Sequence, residues 1–185
     1  EEMIVLAVNK PRGIVCTEER RERDSIVRFL NYPVRITYVG RLDKDSEGLL
    51  LMTNNGDIIN RMMRAANKHE KEYKVTVDKP VTDEFLKEMA GGVPILDTVT
   101  RPCQVEKLGK YKFKIILTQG LNRQIRRMCE ALGYEVKELR RVRIMNIELG
   151  NLKPGEYRKV TDQELNELYE LIRDSKSEPT PWNNN

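Results

Sequence analysis

The sequence predicts an α+β fold in which a mixed, largely antiparallel sheet carries helices on its faces. Several segments alternate apolar and polar residues, as half-buried strands do, and about four helical segments are scattered unevenly among them. Because strands and helices do not alternate regularly, the pattern argues against a doubly wound parallel sheet. With 185 residues, of which 39% are apolar, the chain can bury a sizeable core. We expect one domain over residues 1–173 and a flexible tail over 174–185.

The first 70 or so residues are predicted to contain two strands and two helices. An apolar run over 4–8 predicts a strand that ends in the turn-rich residues 9–13. A charged stretch leads into a short helix near residues 26–30. The run over 48–53 predicts a strand buried on both faces, and Asp57 can cap the helix that follows it.

From residue 73 onward, at least three strands and three helices are predicted. Strands are expected where apolar and polar residues alternate, at 73–77, at 111–117 and within 136–149. Helices are expected where a capping residue or a turn precedes apolar residues at helical spacing, beginning at Thr82, Asn122 and Thr161. Glycines end the first two of these helices, at 91–92 and at 133.

Positive charge is concentrated in one part of the chain. The formal net charge is +4, and the stretch 120–143 alone holds seven basic and three acidic residues. The remainder is therefore balanced. A local excess of positive charge on a balanced background indicates a polyanionic partner.

Composition argues against several classes of protein. Three scattered cysteines, Cys16, Cys103 and Cys129, do not fit a disulfide scaffold or a cysteine zinc site. His69 is the one histidine, so a Ser-His-Asp triad or a multi-histidine metal centre is a poor interpretation. We expect no metal and no cofactor. No apolar run approaches the roughly 18 residues of a membrane span, so we expect a cytoplasmic monomer with no membrane partner.

Asp43 is the first candidate for chemistry. It lies in a polar loop before the strand predicted at 48–53, between the cations Arg41 and Lys44. A nearby cation keeps a carboxylate ionised, and an ionised carboxylate can act as nucleophile or base. A turn with surface ion pairs explains the same residues, and on residue types alone that interpretation is favoured.

Arginines on the helix predicted at 122–132 are the second candidate. At 100° per residue, Arg126 and Gln124 fall on the flanks of the apolar stripe, whereas Arg123 and Arg127 lie opposite it. A flank position favours Arg126 as the partner of a partly buried acid, and the opposite face favours phosphate contacts. A solvated charged face is the alternative.

Basic residues continue into the strand region that follows, and a tyrosine accompanies them. Arg140, Arg141 and Arg143 can supply bidentate phosphate contacts. Tyr73 has an inward position on its strand, where it is either a core residue or the wall of a nucleotide pocket. Lys71 and Lys74 beside it keep the second interpretation open.

Four segments resemble, in order, the motifs of the pseudouridine synthases, in the branch that modifies ribosomal RNA (the RsuA-like family). They are residues 40–57, 71–75, 120–129, and the closing segments 139–144 and 152–157. Order and spacing agree over roughly residues 3 to 173, and four motifs in order are far more specific than one. Residues 69–73, 92–96 and 143–146 are most similar to members that act on 23S rRNA of the large subunit.

The resemblance implies the pseudouridine synthase catalytic fold over residues 1–173 and conversion of a flipped-out uridine to pseudouridine. Asp43 would be the catalytic aspartate, acting either at the ribose or at the base ring. Arg41 would displace the target base, Tyr73 would stack under the uracil and could serve in proton removal, and Arg126 would pair with Asp43. Uracil would detach, rotate and rejoin the sugar through C5.

The resemblance also implies a substrate pocket, an RNA-binding surface and the absence of an N-terminal domain. Leu42 and Leu139 would line the pocket. The residues expected to bind RNA are Arg41, Lys71, Lys74, Asn122, Arg123, Gln124, Arg127, Arg140, Arg141 and Arg143. The expected partner is 23S rRNA, and acceptance of a transfer RNA stays open. Family members usually carry an S4-type RNA-binding domain before the catalytic domain, which we expect to be absent from this chain.

Two other functions fit part of the sequence. A non-catalytic RNA-binding or ribosome-assembly module explains the positive charge but gives no reason for the loop of Asp43. A glycoside hydrolase using Asp43 with Asp45 requires both carboxyl groups in one cleft, about 5–10 Å apart. The isomerase instead requires one acid paired with an arginine.

Overall fold

The computed structural model describes residues 2–66 and 68–173. Its strands are β1 (Val5–Lys10), β2 (Thr37–Val39), β3 (Glu47–Thr53), β4 (Lys71–Val77), β5 (Pro94–Ile95), β6 (Thr98–Val99), β7 (Gln104–Gly109), β8 (Lys112–Leu117), β9 (Val136–Ile144), β10 (Ile147–Glu148) and β11 (Tyr157–Lys159). Its helices are α1 (Ile26–Leu30), α2 (Gly56–Ala65), α3 (Asp83–Gly91), α4 (Gln124–Ala131) and α5 (Asp162–Ile172). The tail predicted at 174–185 lies outside the described residues.

Within the described part of the chain, one nine-stranded sheet organises the fold. Its main path runs β11-β1-β3-β9-β4-β8-β7, with β10 beside β9 and β2 beside β3. Every neighbouring pair is antiparallel except β3 and β9, which are parallel. The hairpin β5–β6 is separate. The predicted α+β fold, with a largely antiparallel sheet and flanking helices, is confirmed.

Strand β3 is buried on both faces, as its apolar run predicts. Leu49 and Leu51 belong to a cluster with residues of α2 and α5. Leu50 and Met52 belong to a second cluster with Ile26 of α1. Successive strand residues point to opposite faces, so an uninterrupted apolar run satisfies both clusters.

Helix starts follow the predicted chemistry with two exceptions. Thr82 and Thr161 cap α3 and α5, and the capping box of Thr161 is complete. Asn55, not Asp57, caps α2, because its side chain accepts a hydrogen bond from the third residue along. Helix α4 begins two residues later than predicted, and its N-cap, Arg123, has a left-handed backbone with φ 48°.

Edge and short strands are the elements that the pattern did not predict. Strand β7 pairs with β8 at one edge of the sheet, and most of its side chains are exposed. Strands β2 and β11 are three residues long. Such strands bury too little apolar surface to produce a clear alternation. No helix in the described ranges is long and apolar enough to cross a bilayer.

Gly48 allows the close approach of the two parallel strands. Its φ is +111°, and a Cβ at this position would collide with the backbone of Arg141 on β9. The parallel pairing consists of Glu47 with Arg140 and Gly48 with Arg141. A side chain at this position would therefore separate β3 from β9.

We predict that Gly48→Ala lowers the free energy of unfolding by about 2–4 kcal/mol, since it combines an unfavourable φ with a backbone collision. Gly56→Ala is the matched control, because no heavy atom lies within 4 Å of the added Cβ. We expect the control to change stability by less than about 1 kcal/mol. Urea unfolding of the three proteins measures both values. Equal losses in the two variants would contradict the assigned role of Gly48.

Candidate active site

Asp43 lies in the loop between β2 and β3, in a partly enclosed position. Its side chain is 12% exposed, and its Oδ2 lies 2.6 Å from Nη1 of Arg123. The loop is held by its own backbone, since the N–H of Ser46 donates to the carbonyl of Asp43 at 3.1 Å. The N–H of Leu42 donates to Sγ of Cys16 at 3.5 Å. Asp43 is therefore an acid at the edge of the interior with one direct cationic partner.

The arginine that contacts Asp43 is Arg123, not Arg126, so the predicted pairing is wrong in this structure. Nη2 of Arg126 instead donates to the backbone carbonyl of Asp45 and to Oγ of Ser46, both at 3.0 Å. Its Nη1 lies 3.5 Å from Oδ2 of Asp45. Arg126 positions the loop that carries Asp43 and does not touch the Asp43 carboxylate.

The left-handed N-cap explains why the helical projection failed for Arg123. A projection at 100° per residue applies only within the helix, and Arg123 precedes the first residue of α4. Its left-handed backbone redirects the side chain toward Asp43. Arg123 therefore forms an ion pair with Asp43 instead of the phosphate contact predicted from its position in the sequence.

Burial and charge affect the two aspartates of the loop differently. Burial raises the pKa of Asp43, and the Arg123 guanidinium offsets only part of the rise. Burial also tends to raise the pKa of Asp45, but Arg126 and Arg123 outweigh it and the pKa is lowered. Asp43 is thus the more basic carboxylate of the two, which suits a group that bonds to carbon or takes a proton.

Lys10 is a second cation near the acid, and the sequence did not single it out. Its side chain is fully buried, and Nζ donates to the carbonyls of Pro11 at 3.0 Å and Ile14 at 2.6 Å. Burial lowers the pKa of Lys10 to about 8, against the opposing effects of Cys16 and Asp43. Lys10 is the last residue of β1 and precedes the Pro-Arg-Gly turn, and nothing in the residue pattern there distinguishes it from an exposed lysine.

Tyr73 and Leu139 lie on the sheet face that α4 covers. Both belong to one buried cluster, with Ile125 and Met128 of α4, and Tyr73 is only 1% exposed. Leu42, the other predicted pocket residue, is also buried. Helix α4 therefore contacts both parts of the predicted pocket: Ile125 and Met128 share the cluster of Tyr73 and Leu139, and Arg123 at its N-cap contacts Asp43.

Three residues predicted to bind RNA are buried, so none of them contributes to an exposed RNA surface in this structure. Gln124 donates to Gln119 and accepts from the N–H of Leu121, inside the turn before α4. Lys71 donates to a backbone carbonyl at 2.8 Å, and Arg141 is 0% exposed. Their polar atoms point into the protein, so they do not form a phosphate-binding surface.

Three further basic residues belong to the opposite face of the sheet or to ion pairs. Arg143 is neutralised by Glu70 and Glu72, at 2.9 and 3.2 Å. Lys74 and Arg140 are direct neighbours across β4 and β9. Because strand residues alternate between faces, both lie on the face opposite Tyr73 and Leu139, where with Glu72 and Arg143 they line a groove of about 300 Å³.

Arg41, Asn122 and Arg127 remain as predicted contacts close to Asp43. Arg41 and Asn122 are exposed, and Arg127 is half-buried. Arg127 donates to the carbonyl and to Oδ1 of Asn122, at 3.0 and 2.9 Å. Asn122 and Arg127 lie at the start of α4, next to the Asp43–Arg123 pair. Arg41 lies two residues before Asp43 and acts on its carboxylate electrostatically.

The residues of the described ranges contain no group of three or more histidine, cysteine, aspartate or glutamate side chains placed to hold a metal ion. The functional groups of the candidate site are the carboxylate of Asp43, guanidinium groups, the ammonium group of Lys10 and the phenol of Tyr73. Such a set can attack an electron-poor carbon, move a proton and stabilise negative charge.

The motif carrying Asp43 and the residues around α4 match a known family. A family model described as RNA pseudouridylate synthase matches residues 4–131. The chain belongs to this family. The match covers the Asp43 loop, Tyr73 and all of α4.

Similar proteins and a similar solved structure support the assignment to the RNA pseudouridylate synthase family. The chain is 57% identical over 181 residues to a dual-specificity RNA pseudouridine synthase RluF of Shigella flexneri, covering 98% of this chain and 62% of that protein. It is 36% identical to a ribosomal small subunit pseudouridine synthase A of Yersinia pestis, covering 85% and 69% of the two chains. A crystal structure of a pseudouridylate synthase superposes with a TM-score of 0.82 at 34% identity, covering 91% of this chain and 74% of that one. The chain thus spans less than two thirds of the RluF relative.

We predict that Arg123→Gln raises the pKa of Asp43 further, because it removes the cation 2.6 Å from the carboxylate. Ionisation of Asp43 then moves to higher pH. Carbon-13 NMR titration of the aspartate carboxyl groups measures the change. Arg127→Gln is the control and should leave this titration in place, since Arg127 is bonded to Asn122. An unchanged titration in Arg123→Gln would show that Arg123 is not the partner of Asp43 in solution.

Proposed function

We propose that this chain is an RNA pseudouridine synthase that isomerises a specific uridine of 23S rRNA. The observation that carries the proposal is the partly enclosed, more basic carboxylate of Asp43, held by an arginine of the third family motif. Family membership and the 57% identity to an RluF enzyme support it. That relative is called dual-specificity, which favours a second RNA substrate, and a transfer RNA is the one we propose.

The proposed reaction requires the base to leave the RNA stack. Chemistry on a base inside a duplex is blocked by stacking, and flipping costs a few kcal/mol, least in a loop or bulge. In the proposed complex, the exposed Arg41 and Asn122 and the half-buried Arg127 bind the RNA backbone beside Asp43. Contacts to phosphates can offset the flipping free energy.

In the proposed pocket, Asp43 acts on the nucleotide while Tyr73 and Leu139 enclose the uracil. Asp43 attacks the ribose or the base ring, so that uracil separates from C1′, turns and rejoins through C5. Tyr73, on the floor of the pocket, offers a ring face for stacking and a phenol for proton removal. The apolar cluster around α4 keeps water from the detached intermediate.

Arg123 and Arg126 have different roles in the proposed site. Arg123 contacts Asp43 directly, while Arg126 fixes Asp45 and Ser46 in the same loop. Arg126 is therefore a positioning residue rather than the direct partner of the acid. Its substitution should disturb the geometry of the loop before it changes the charge at Asp43.

We predict that Asp43→Asn lowers pseudouridine formation in a 23S rRNA fragment by at least about 10³-fold, because the amide can neither bond to carbon nor take a proton. RNA binding and folding should stay close to wild type. Nucleoside analysis of the digested RNA measures the product, and filter binding measures affinity.

Asp45→Asn is the matched control for this experiment. It removes a carboxylate from the same loop, and we expect less than about a 10-fold effect because the Asp45 side chain is 45% exposed and its ion pairs with Arg123 and Arg126 are long, at 3.6 and 3.5 Å. If Asp43→Asn retains activity, the chain is not the proposed enzyme. An equal loss in both variants would favour a mechanism with two carboxylates.

A further inference from the structure

Arg141 is a fully buried guanidinium whose bonding capacity is mostly unused. Its Nε donates to the backbone carbonyl of Leu49 at 2.9 Å. Its Nη1 and Nη2 are both buried and have no hydrogen-bond partner among the described residues. Most buried polar side-chain atoms in proteins have at least one partner, and an unpaired buried charge is costly. Two orphan donor groups on one buried cation therefore call for a functional explanation.

The position of Arg141 places it in the proposed uracil pocket. It lies directly opposite Tyr73 in the pairing of β9 with β4, and opposite Gly48 in the pairing of β9 with β3. Residues directly opposite each other share a sheet face, and Leu139, two residues earlier, shares it as well. Arg141 thus lies between the aromatic floor of the pocket and the strand that begins just after Asp43.

The surroundings of Arg141 strengthen the positive field at this point. Lys71 is buried on the same strand as Tyr73, and burial lowers its pKa to about 7, with further lowering by Arg141 and Arg101. These groups approach each other closely enough to interact unfavourably. Such a cluster of cations is stabilised when negative charge enters it.

We propose that Arg141 binds the carbonyl edge of the flipped uracil and stabilises the negative charge that the ring carries while it is detached. The inference rests on the proposed function. It names Arg141 as the group that holds the leaving ring. The sequence predicted only RNA binding for this residue. Because Arg141 and Tyr73 are covered in this structure, the base reaches them only after the covering side chains move.

The chemistry of the detached ring fits a cation at this place. In the route through the ribose, the C1′–N1 bond breaks with its electron pair on uracil, and the Asp43 carboxylate bonds to C1′. The charge of the ring is shared by N1 and the carbonyl oxygens. A half-turn about the N3–C6 axis exchanges N1 with C5 and O2 with O4. C5 then bonds to C1′ as the carboxylate leaves, C5 loses its proton and N1 gains one.

The half-turn explains why a single cation on the carbonyl edge suffices. Before the turn the cation faces one carbonyl oxygen, and afterwards it faces the other in the same place. Donors fixed in advance where charge develops stabilise a transition state strongly in a water-excluded site. Arg141 is fixed by its bond to Leu49 and by complete burial, which meets that requirement.

The test compares Arg141→Met and Arg141→Lys with wild type under single turnover, using an RNA stem-loop saturated with protein. We expect rate constants lower by about 10²–10³-fold for the Met variant and by a smaller factor for the Lys variant. RNA affinity should change by less than about 3-fold, since Arg141 does not face the RNA backbone. Arg158→Lys is the control, a paired arginine on β11 bonded to Glu164, and should isomerise at the wild-type rate.

A second substrate separates stabilisation of the leaving ring from a merely structural role. Fluorine at C5 makes the detached ring a weaker base, so it needs less help from a cation. On RNA carrying 5-fluorouridine, we expect the deficit of the Arg141 variants in nucleotide consumption to shrink by about 10-fold relative to uridine. A purely structural defect slows both substrates equally.

The outcomes are distinct. Equal deficits on the two substrates, or no deficit on uridine, overturn the role of Arg141. If Arg141→Met does not fold, the comparison is made with Arg141→Lys, which keeps the charge and much of the volume. If the wild-type protein forms no pseudouridine while Asp43→Asn behaves identically, the proposed function itself fails, independently of Arg141.

Discussion

The parallel junction between β3 and β9 is the constraint on which the rest of the structure depends. It joins β11, β1, β3 and β2 to β9, β4, β8 and β7 through only two pairs of residues. Arginines reinforce the junction: Arg141 donates to Leu49, Arg126 to Asp45 and Ser46, and Arg12 to the carbonyl of Lys137. Asp43 belongs to one side of the junction, and Tyr73 belongs to the other. The proposed site exists because these two halves are held in one register.

Much of the positive charge over residues 120–143 is engaged in contacts within the protein and along this junction. Counting charges over 120–143 correctly indicates an excess of arginine, but it does not separate surface groups from groups that bridge elements. Arg123, Arg126 and Arg141 make interior contacts, and Arg143 is paired with two glutamates. What remains near Asp43 for RNA is a small set of exposed donors around the start of α4.

Patterns along the sequence determine those features that depend on local periodicity. The alternation around Tyr73, the apolar run of β3 and the caps at Thr82 and Thr161 each reflect neighbours along the chain, and the structure has them as predicted. The partner of Asp43 depends instead on one left-handed residue, Arg123, which breaks the helical projection. The burial of Lys71 and Arg141 depends on which strands become neighbours across the junction. Neither the partner of Asp43 nor the burial of Lys71 and Arg141 can be predicted from local spacing. The candidate acid, Asp43, was identified from the resemblance to a family.

The raised pKa of Asp43 affects the stability of the whole fold. A carboxyl group whose pKa is higher in the folded than in the unfolded chain favours folding when protonated and opposes it when ionised. Once the pH exceeds both values, the ionised group makes the native state less stable than a carboxyl group with an unshifted pKa would. The catalytic role proposed for Asp43 accounts for the presence of a group with this effect on stability.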